Sequence, residues 1–289
     1  MLRLVAADLE LTLDRARGGG ITAFTIGGQP LFIGRDDPSP LGLASFPLVP
    51  FSNRISHGRF HAGGRSVTLP RNHPADPHHP HAIHGMGWQQ GWTVIEHGAS
   101  HAVLRLDMPA GAWPWAWRAQ QHLALTPTGF HQRLILENRS DSPMPAGIGA
   151  HPFLPCNAVT RLHALHRGEW QTAPDGLPMH LVMTDAPQDW WHGAPLTSRI
   201  VDTVYVGRQG PIRVVWPDRR LALSIDASDT LTHTVVYVPN DAGFFCVEPV
   251  SHMTNAVNRP EPEALTGQRW LVPGETLAGD IWFRPYRIA

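Results

Sequence analysis

The sequence predicts an all-β protein that forms one large antiparallel β-sandwich. Apolar and polar residues alternate with a period of two in many short segments, as in strands that bury one face. Glycine (27) and proline (28) make up about a fifth of the 289 residues, against roughly 12% in an average protein. Both residues break helices and separate short strands. The best helix candidate is short, from Asp185 to Trp191.

The alternating segments follow one another along the chain, with turn residues between them. They are 9–14, 103–107, 121–126, 131–137, 212–216, 221–225, 235–238 and 244–247. Pro217 and Asp218 connect one pair of segments, and residues 239–243 connect another, which predicts two hairpins. No shift in composition and no repeat divides the chain, so we predict a single domain over residues 1–289.

Composition excludes several classes of function. The formal net charge is −1, without the basic stripe of a nucleic-acid-binding protein. All 23 basic residues are arginine, which excludes Schiff-base lysine chemistry. Two cysteines are too few for a disulfide framework. Neither a signal peptide nor an apolar membrane span is visible, so we expect a cytoplasmic protein without membrane association.

Polar residues interrupt two otherwise apolar segments. Asn53 and Arg54 stand in the first, where they offer fixed donors to sugar hydroxyls or to a carboxylate, unless Arg54 only caps a strand end. Glu248 stands in the second, where burial would raise the pKa of its carboxyl toward that of a general base acting near neutral pH. The alternative for Glu248 is a buried salt bridge, for instance with Arg54.

Two histidines stand apart from the others. His84 follows a short apolar pair and precedes a glycine, which fits a strand end that opens into a cleft, and Trp88 nearby could stack on a sugar face or pack in the core. His151 lies in a segment rich in glycine and proline, as a general acid or as a hydrogen-bonded structural residue. His73, His78, His79 and His81 lack metal-ligand spacing and belong to a proline-rich stretch that indicates an exposed loop.

Taken in order, these motifs resemble the aldose 1-epimerase (galactose mutarotase) family over nearly the whole chain. The matching elements are Asn53-Arg54-Ile55, Gly58-Arg59-Phe60, His84-Gly85 with Gly87-Trp88, His151-Pro152-Phe153, Cys246-Val247-Glu248-Pro249, Asn255-Ala256-Val257-Asn258 and Pro273-Gly274-Glu275. The residues after His151 differ from the Ser- or Thr-Tyr-Phe-Asn of the family, which indicates a divergent bacterial branch.

The resemblance implies a β-supersandwich and no cofactor. It implies that Glu248 is the base and His151 the acid of a sugar mutarotase, with Arg54, His84 and Asp202 binding the sugar. The expected partner is a small sugar, with the protein a monomer or a homodimer.

Other functions compatible with these residues remain as alternatives. A hexose-6-phosphate epimerase, or a mutarotase of another anionic sugar, would need an arginine clamp from Arg59, Arg71 or Arg118. A non-catalytic carbohydrate-binding sandwich would use its tryptophans. A glycoside hydrolase would need a carboxylate pair such as Glu248 with Asp202. A metal enzyme built on the histidines of residues 73–84 ranks last.

Overall fold

The protein is built almost entirely from β-strands. A computed structural model describes residues 1–240 and 242–289. Its strands are β1 (Leu2–Ala6), β2 (Leu9–Asp14), β3 (Gly20–Ile26), β4 (Gln29–Phe32), β5 (Pro47–Leu48), β6 (Arg54–Ile55), β7 (Arg59–Ala62), β8 (Arg65–Thr68), β9 (Ala82–Ile83), β10 (Thr93–His97), β11 (His101–Met108), β12 (Trp117–Thr126), β13 (Gly129–Asn138), β14 (Met144–Ala146), β15 (Gly149–Ala150), β16 (Phe153–Pro155), β17 (Arg161–Thr172), β18 (Pro178–Asp189), β19 (Val201–Val206), β20 (Gln209–Trp216), β21 (Leu221–Ala227), β22 (His233–Val238), β23 (Phe244–Val250), β24 (Arg269–Leu271) and β25 (Thr276–Arg287). The prediction of an all-β fold is confirmed.

Helices are few and short in the described part of the chain. The α-helix is α1 (Glu263–Thr266). The 3-10 turns are Pro40–Gly42, Ser56–Gly58, Gly87–Gln89, Leu196–Ser198, Pro217–Arg219 and Ala256–Asn258. Among residues 1–240 and 242–289, no helix has the length and apolar character needed to cross a membrane.

One sheet of 15 strands dominates the fold. Its neighbouring strands follow the order β10-β11-β12-β13-β25-β21-β20-β17-β19-β22-β23-β15-β5, with β16 paired to β23 and β18 to β17. All of these ladders are antiparallel. The four-stranded sheet β1-β2-β3-β4 covers part of it, where the ring centroids of Phe24 and Phe130 lie 5.6 Å apart. Face-to-face packing of this kind buries the alternating apolar faces and makes the predicted sandwich.

Most predicted strands lie where the alternation placed them. In β12, every second residue is buried, because one face meets the core and the other solvent. β20 and β21 form the predicted hairpin around Pro217. β22 and β23 pair as predicted on either side of residues 239–243, although Asp241 of that connection lies outside the described residues.

The helix predicted from Asp185 to Trp191 is wrong. Residues up to Asp189 continue β18, which pairs with β17 so that Asp189 stands opposite Leu165. A neighbouring strand supplies partners for the backbone groups, and this overrides a weak local preference for helix.

The strand that carries Glu248 is covered on both faces. All seven residues of β23 are buried. Phe245 and Val247 point into the main core, whereas Phe244 and Cys246 belong to a second apolar cluster on the opposite face. Because side chains alternate along a strand, Glu248 shares the face of Cys246 and stands over this second cluster.

Candidate active site

A cavity of about 240 Å³ opens above the second apolar cluster. Its lining residues are Arg35, Leu41, Asn53, Arg54, His73, His79, Ile83, His84, His151, Phe153, Asp202, Tyr237, Phe244 and Glu248. The register of the sheet explains why several of these lining residues lie side by side. Asp202 lies opposite Tyr237, Tyr237 opposite Cys246, and Cys246 opposite Phe153. Residues directly opposite each other in a sheet share a face, so β19, β22, β23 and β16 turn the same face toward the cavity. Cys246 itself is fully buried, and β23 lines the cavity through Phe244 and Glu248.

Glu248 lies at the base of this cavity. Only 2% of the residue is exposed, and Oε2 has no hydrogen-bond partner among the described residues. Burial, reinforced by the charge of Asp202 and opposed by that of Arg54, raises the pKa of the Glu248 carboxyl well above its usual value. The carboxyl therefore keeps its proton to higher pH than an exposed glutamate does.

His151 faces Glu248 from the connection between β15 and β16. Its Nε2 lies 3.4 Å from Oε1 of Glu248. The ring packs on Phe46 and Phe153, at centroid distances of 4.6 and 4.7 Å. Burial lowers the pKa of His151 to about 3, and the nearby charge of Arg35 also lowers it. Two proton-transfer groups therefore meet in a site that favours the uncharged form of each.

Asn53, Arg54 and Asp202 form a second polar group at the cavity. Arg54 donates through Nη2 to Oδ2 of Asp202 at 2.8 Å and through Nη1 to Oδ1 of Asn53 at 3.0 Å. Asn53 is buried, so the guanidinium is held at both ends. The predicted alternative of a salt bridge between Glu248 and Arg54 is not observed, because Asp202 is the partner of Arg54.

His84 follows β9, at the strand end where it was predicted, and lies next to His151. Its backbone NH donates to the carbonyl of Asn53 at 2.8 Å, and the two imidazole rings meet edge to face at 5.0 Å. His84 and Gly85 both have positive φ. A Cβ on Gly85 would lie 2.0 Å from the carbonyl oxygen of Val49, so only glycine allows this close approach.

Trp88 does not offer a stacking face to a ligand, which corrects its predicted role in sugar binding. It is fully buried and does not line the cavity. Its ring stacks on Phe46 and its indole NH donates to the carbonyl of Gly85. Because His84 packs against it, Trp88 supports the wall of the cavity from behind.

The structure brings further residues to the cavity that the sequence did not single out. They are Arg35, from the segment after β4, Tyr237 of β22, and the half-buried His73 and His79, from the loop predicted to be only solvated. The alternation of β22 could have identified Tyr237, whereas nothing local marks Arg35. The arginines Arg59, Arg71 and Arg118 do not line the cavity.

One trio among the described residues could hold a metal ion. Ligand atoms of His151, Cys246 and Glu248 all lie within 4.8 Å of one another. This trio includes both proton-transfer groups, so an ion there would compete with proton transfer. The histidines of residues 73–84 do not form a comparable set in the described part of the chain.

Comparison with known proteins identifies the family of this chain. The family model "Aldose 1-epimerase" matches residues 15–284. The uncharacterized Escherichia coli K12 protein YphB is 29% identical over 286 residues, covering 95% of this chain and 96% of YphB.

Solved structures share the fold over the full length. An Escherichia coli K12 protein superimposes with a TM-score of 0.88 at 28% identity, covering 99% of both chains. A galactose mutarotase-like protein from Clostridium acetobutylicum gives a TM-score of 0.86 at 17% identity, covering 99% of this chain and 95% of its own. Since the family model spans nearly the whole chain, the protein belongs to the aldose 1-epimerase family.

Proposed function

We propose that this protein is a mutarotase that interconverts the α and β anomers of an aldose, with Glu248 as the base and His151 as the acid. One observation supports this most directly. The two side chains lie 3.4 Å apart, both buried, at the base of a cavity that opens to solvent. Mutarotation needs one group that accepts a proton and one that donates a proton, on neighbouring oxygens of the same sugar.

The reaction opens the ring and closes it on the other face. Glu248 takes the proton of the C1 hydroxyl while His151 gives a proton to the ring oxygen, and the bond between C1 and the ring oxygen breaks. The open aldehyde rotates about the C1–C2 bond by about half a turn. The oxygen of the C5 hydroxyl then attacks the other face of C1 and both proton transfers run in reverse, which returns both residues to the carboxylate and imidazolium forms with which the step began.

The pair holds one exchangeable proton over the pH range between the lowered pKa of His151 and the raised pKa of Glu248. Burial favours the arrangement in which neither residue is charged. The hydroxyl groups of a bound sugar replace the hydrogen bonds of the displaced water. They thereby stabilise the arrangement that reacts, in which Glu248 is a carboxylate and His151 an imidazolium. The unpartnered Oε2 of Glu248 is free to accept the C1 hydroxyl.

The remaining polar groups would bind and orient the sugar. Arg54 presents fixed donors and Asp202 an acceptor, which suits adjacent hydroxyls of a sugar, and Asn53 holds Arg54 in place. His84 has an unpartnered buried Nδ1 beside the acid. Asp202 is held by Arg54, which suits a hydroxyl acceptor better than the second carboxylate of a glycoside hydrolase.

Proton NMR tests the proposal directly. Freshly dissolved α-D-glucose and α-D-galactose are followed in dilute, weakly catalytic buffer, with and without protein. We expect anomeric equilibration to accelerate with the wild type and to lose about 10²–10⁴-fold of that acceleration in Glu248→Gln. Near-normal turnover by the variant would remove Glu248 as the base, and sugar binding without acceleration would favour a binding protein. Release of the aglycone from aryl glycosides would point instead to a hydrolase.

A further inference from the structure

Building on the proposed mutarotase activity, we propose that the preferred sugar carries an anionic group on C6, and that Arg35 binds this group. The inference deepens the proposed function by naming the substrate class. It depends on the surroundings of Arg35, on the end of the cavity that Arg35 occupies, and on the pairing of the other charges in the site.

Arg35 presents a positive charge that is available to a ligand. Its guanidinium carbon lies 4.6 Å from the ring centroids of both Phe153 and Phe244, and Nη2 donates to the carbonyl of Leu41. Among residues 1–240 and 242–289, no carboxylate lies within ion-pair distance of Arg35, although Asp37 is near enough for the guanidinium to lower its pKa. The aromatic rings fix the plane of the guanidinium and leave donors at its edge.

The other charges that line the cavity are already balanced. Arg54 is paired with Asp202 at 2.8 Å. Glu248 has a raised pKa, which favours its neutral form. Within residues 1–240 and 242–289, Arg35 is therefore the charged group of the lining that has no ion-pair partner, and His73 and His79 on the same lining add no negative charge. Arg35 is exposed, so a neutral sugar would leave its charge to solvent, whereas an anionic sugar would pair with it directly.

Arg35 lies at the ring-oxygen end of the proposed substrate position. The guanidinium carbon lies 4.6 Å from the ring centroid of Phe153, and that ring lies 4.7 Å from the ring of His151, so Arg35 adjoins the proposed acid through Phe153. His151 is the proposed donor to the ring oxygen. In an aldohexose that oxygen is bonded to C5, which carries C6. A substituent on C6 thus extends toward Arg35, while the C1 and C2 hydroxyls face Glu248 and Asp202.

The chemistry of a guanidinium defines the class of group. Its planar fork of N–H donors binds phosphate, sulfonate or carboxylate through two parallel hydrogen bonds. The cavity of about 240 Å³ is smaller than the roughly 300–1,000 Å³ of pockets for drug-sized ligands, which suits one sugar ring with one small substituent.

The test compares sugars that differ only at C6. Glucose, glucose 6-phosphate, glucuronate and 6-deoxy-6-sulfoglucose are each supplied at anomeric equilibrium. Magnetisation exchange between the α and β anomeric protons then gives kcat/KM without a need for a pure anomer. For the wild type we expect kcat/KM for at least one anionic sugar to exceed that for glucose by about 10-fold or more, and the best of the three identifies the anion.

Variants of Arg35 connect the preference to this residue. In Arg35→Gln we expect the anionic-to-neutral ratio of kcat/KM to fall about 10- to 100-fold, and in Arg35→Lys to recover in part, because lysine keeps the charge but loses the planar fork. Arg59→Gln, an exposed arginine outside the cavity, is the matched control, with an unchanged ratio.

Two results would overturn the inference and leave the mutarotase standing: acceleration of glucose with no anionic sugar preferred, or an anionic preference that persists in Arg35→Gln. Failure of every sugar to exchange faster with the wild type would instead contradict the mutarotase proposal, and the C6 assignment with it. Thermal unfolding of each variant confirms that the comparison is made on folded protein.

Discussion

Two buried glutamates in the large sheet have opposite surroundings. Glu169 on β17 is 8% exposed and accepts from Nη2 of Arg199 at 2.9 Å. Glu248 on β23 is 2% exposed, leaves one oxygen without a partner among the described residues, and faces His151. Arginine holds the first carboxylate in a fixed ion pair, whereas the second adjoins a group that can exchange a proton with it. The difference in partner, rather than in burial, distinguishes the ion-paired Glu169 from Glu248, the proposed base.

The buried histidines show the same contrast. His166 lies in β17, where Nε2 is hydrogen-bonded to Oγ1 of Thr234 at 3.1 Å, away from the cavity. His151 is equally buried but meets a carboxylate and the cavity at once. Burial lowers the pKa of both to about 3, so a perturbed pKa alone does not identify the acid.

The largest expected effect is that one glutamate variant loses activity and the other loses stability. Glu248→Gln should lose about 10²–10⁴-fold in kcat/KM, while its free energy of unfolding at pH 7 rises, because a neutral amide replaces a carboxyl whose charged form is disfavoured by burial. Glu169→Gln should keep its activity within a few-fold and lose about 1 kcal/mol of stability, since Arg199 is partly exposed. NMR exchange and urea unfolding measure the two quantities, and equal losses of activity in both variants would refute the contrast.

Substitutions of His151 and His166 should differ almost as much in their effect on activity. His151→Gln removes the proposed acid, so we expect a loss of about 10²–10⁴-fold in kcat with little change in KM. His166→Gln should unfold more easily yet keep kcat in the remaining folded protein. Steady-state kinetics at several sugar concentrations separate kcat from KM. A His151 variant affected only in KM would make this residue a binding group instead of the acid.

A smaller effect is expected when Asp202 is neutralised. Asp202→Asn removes the partner of Arg54 and an acceptor for the sugar, so KM should rise about 10-fold. The charge of Asp202 also raises the pKa of Glu248, so the alkaline limb of the kcat/KM profile should move to lower pH. An unmoved limb, measured against wild type at constant ionic strength, would show that this limb does not report Glu248.

The last comparison concerns the pH dependence of stability, which several buried groups share. Burial lowers the pKa of His151 and His166 to about 3 and that of His233 and His252 to about 4. Between these values and about 6.5 the unfolded chain binds more protons at these sites, so stability present above about pH 6.5 is lost as pH falls, by about 1.4 kcal/mol per pH unit for each histidine at most.

Glu248 opposes this trend, because its pKa is raised on folding and its contribution is lost as pH rises. Four histidines outweigh one glutamate, so the urea midpoint should fall from pH 7 to pH 5. In Glu248→Gln it should fall more steeply, since the opposing group is absent. A midpoint that stays level over this range would contradict the assignment of the four histidines as neutral when folded.

Local residue patterns determined the architecture. Alternation within single segments predicted β2, β12, β13 and the β20–β21 hairpin, because the two-residue period of a strand needs no information from distant residues. The apolar neighbours of Glu248 likewise indicated its burial before any partner was known. Where local preference was weak, as in the predicted helix that became part of β18, pairing with a distant strand decided the outcome.

The partners within the site were decided only by the tertiary structure. Arg54 meets Asp202, 148 residues further along the chain, and His151 meets Glu248 through the pairing of β15 and β16 with β23. Sheet register between distant strands fixes such contacts, and register depends on the packing of whole faces. The same packing buried Trp88 behind the cavity wall and brought Arg35 to the cavity lining, and the local sequence around either residue does not show this.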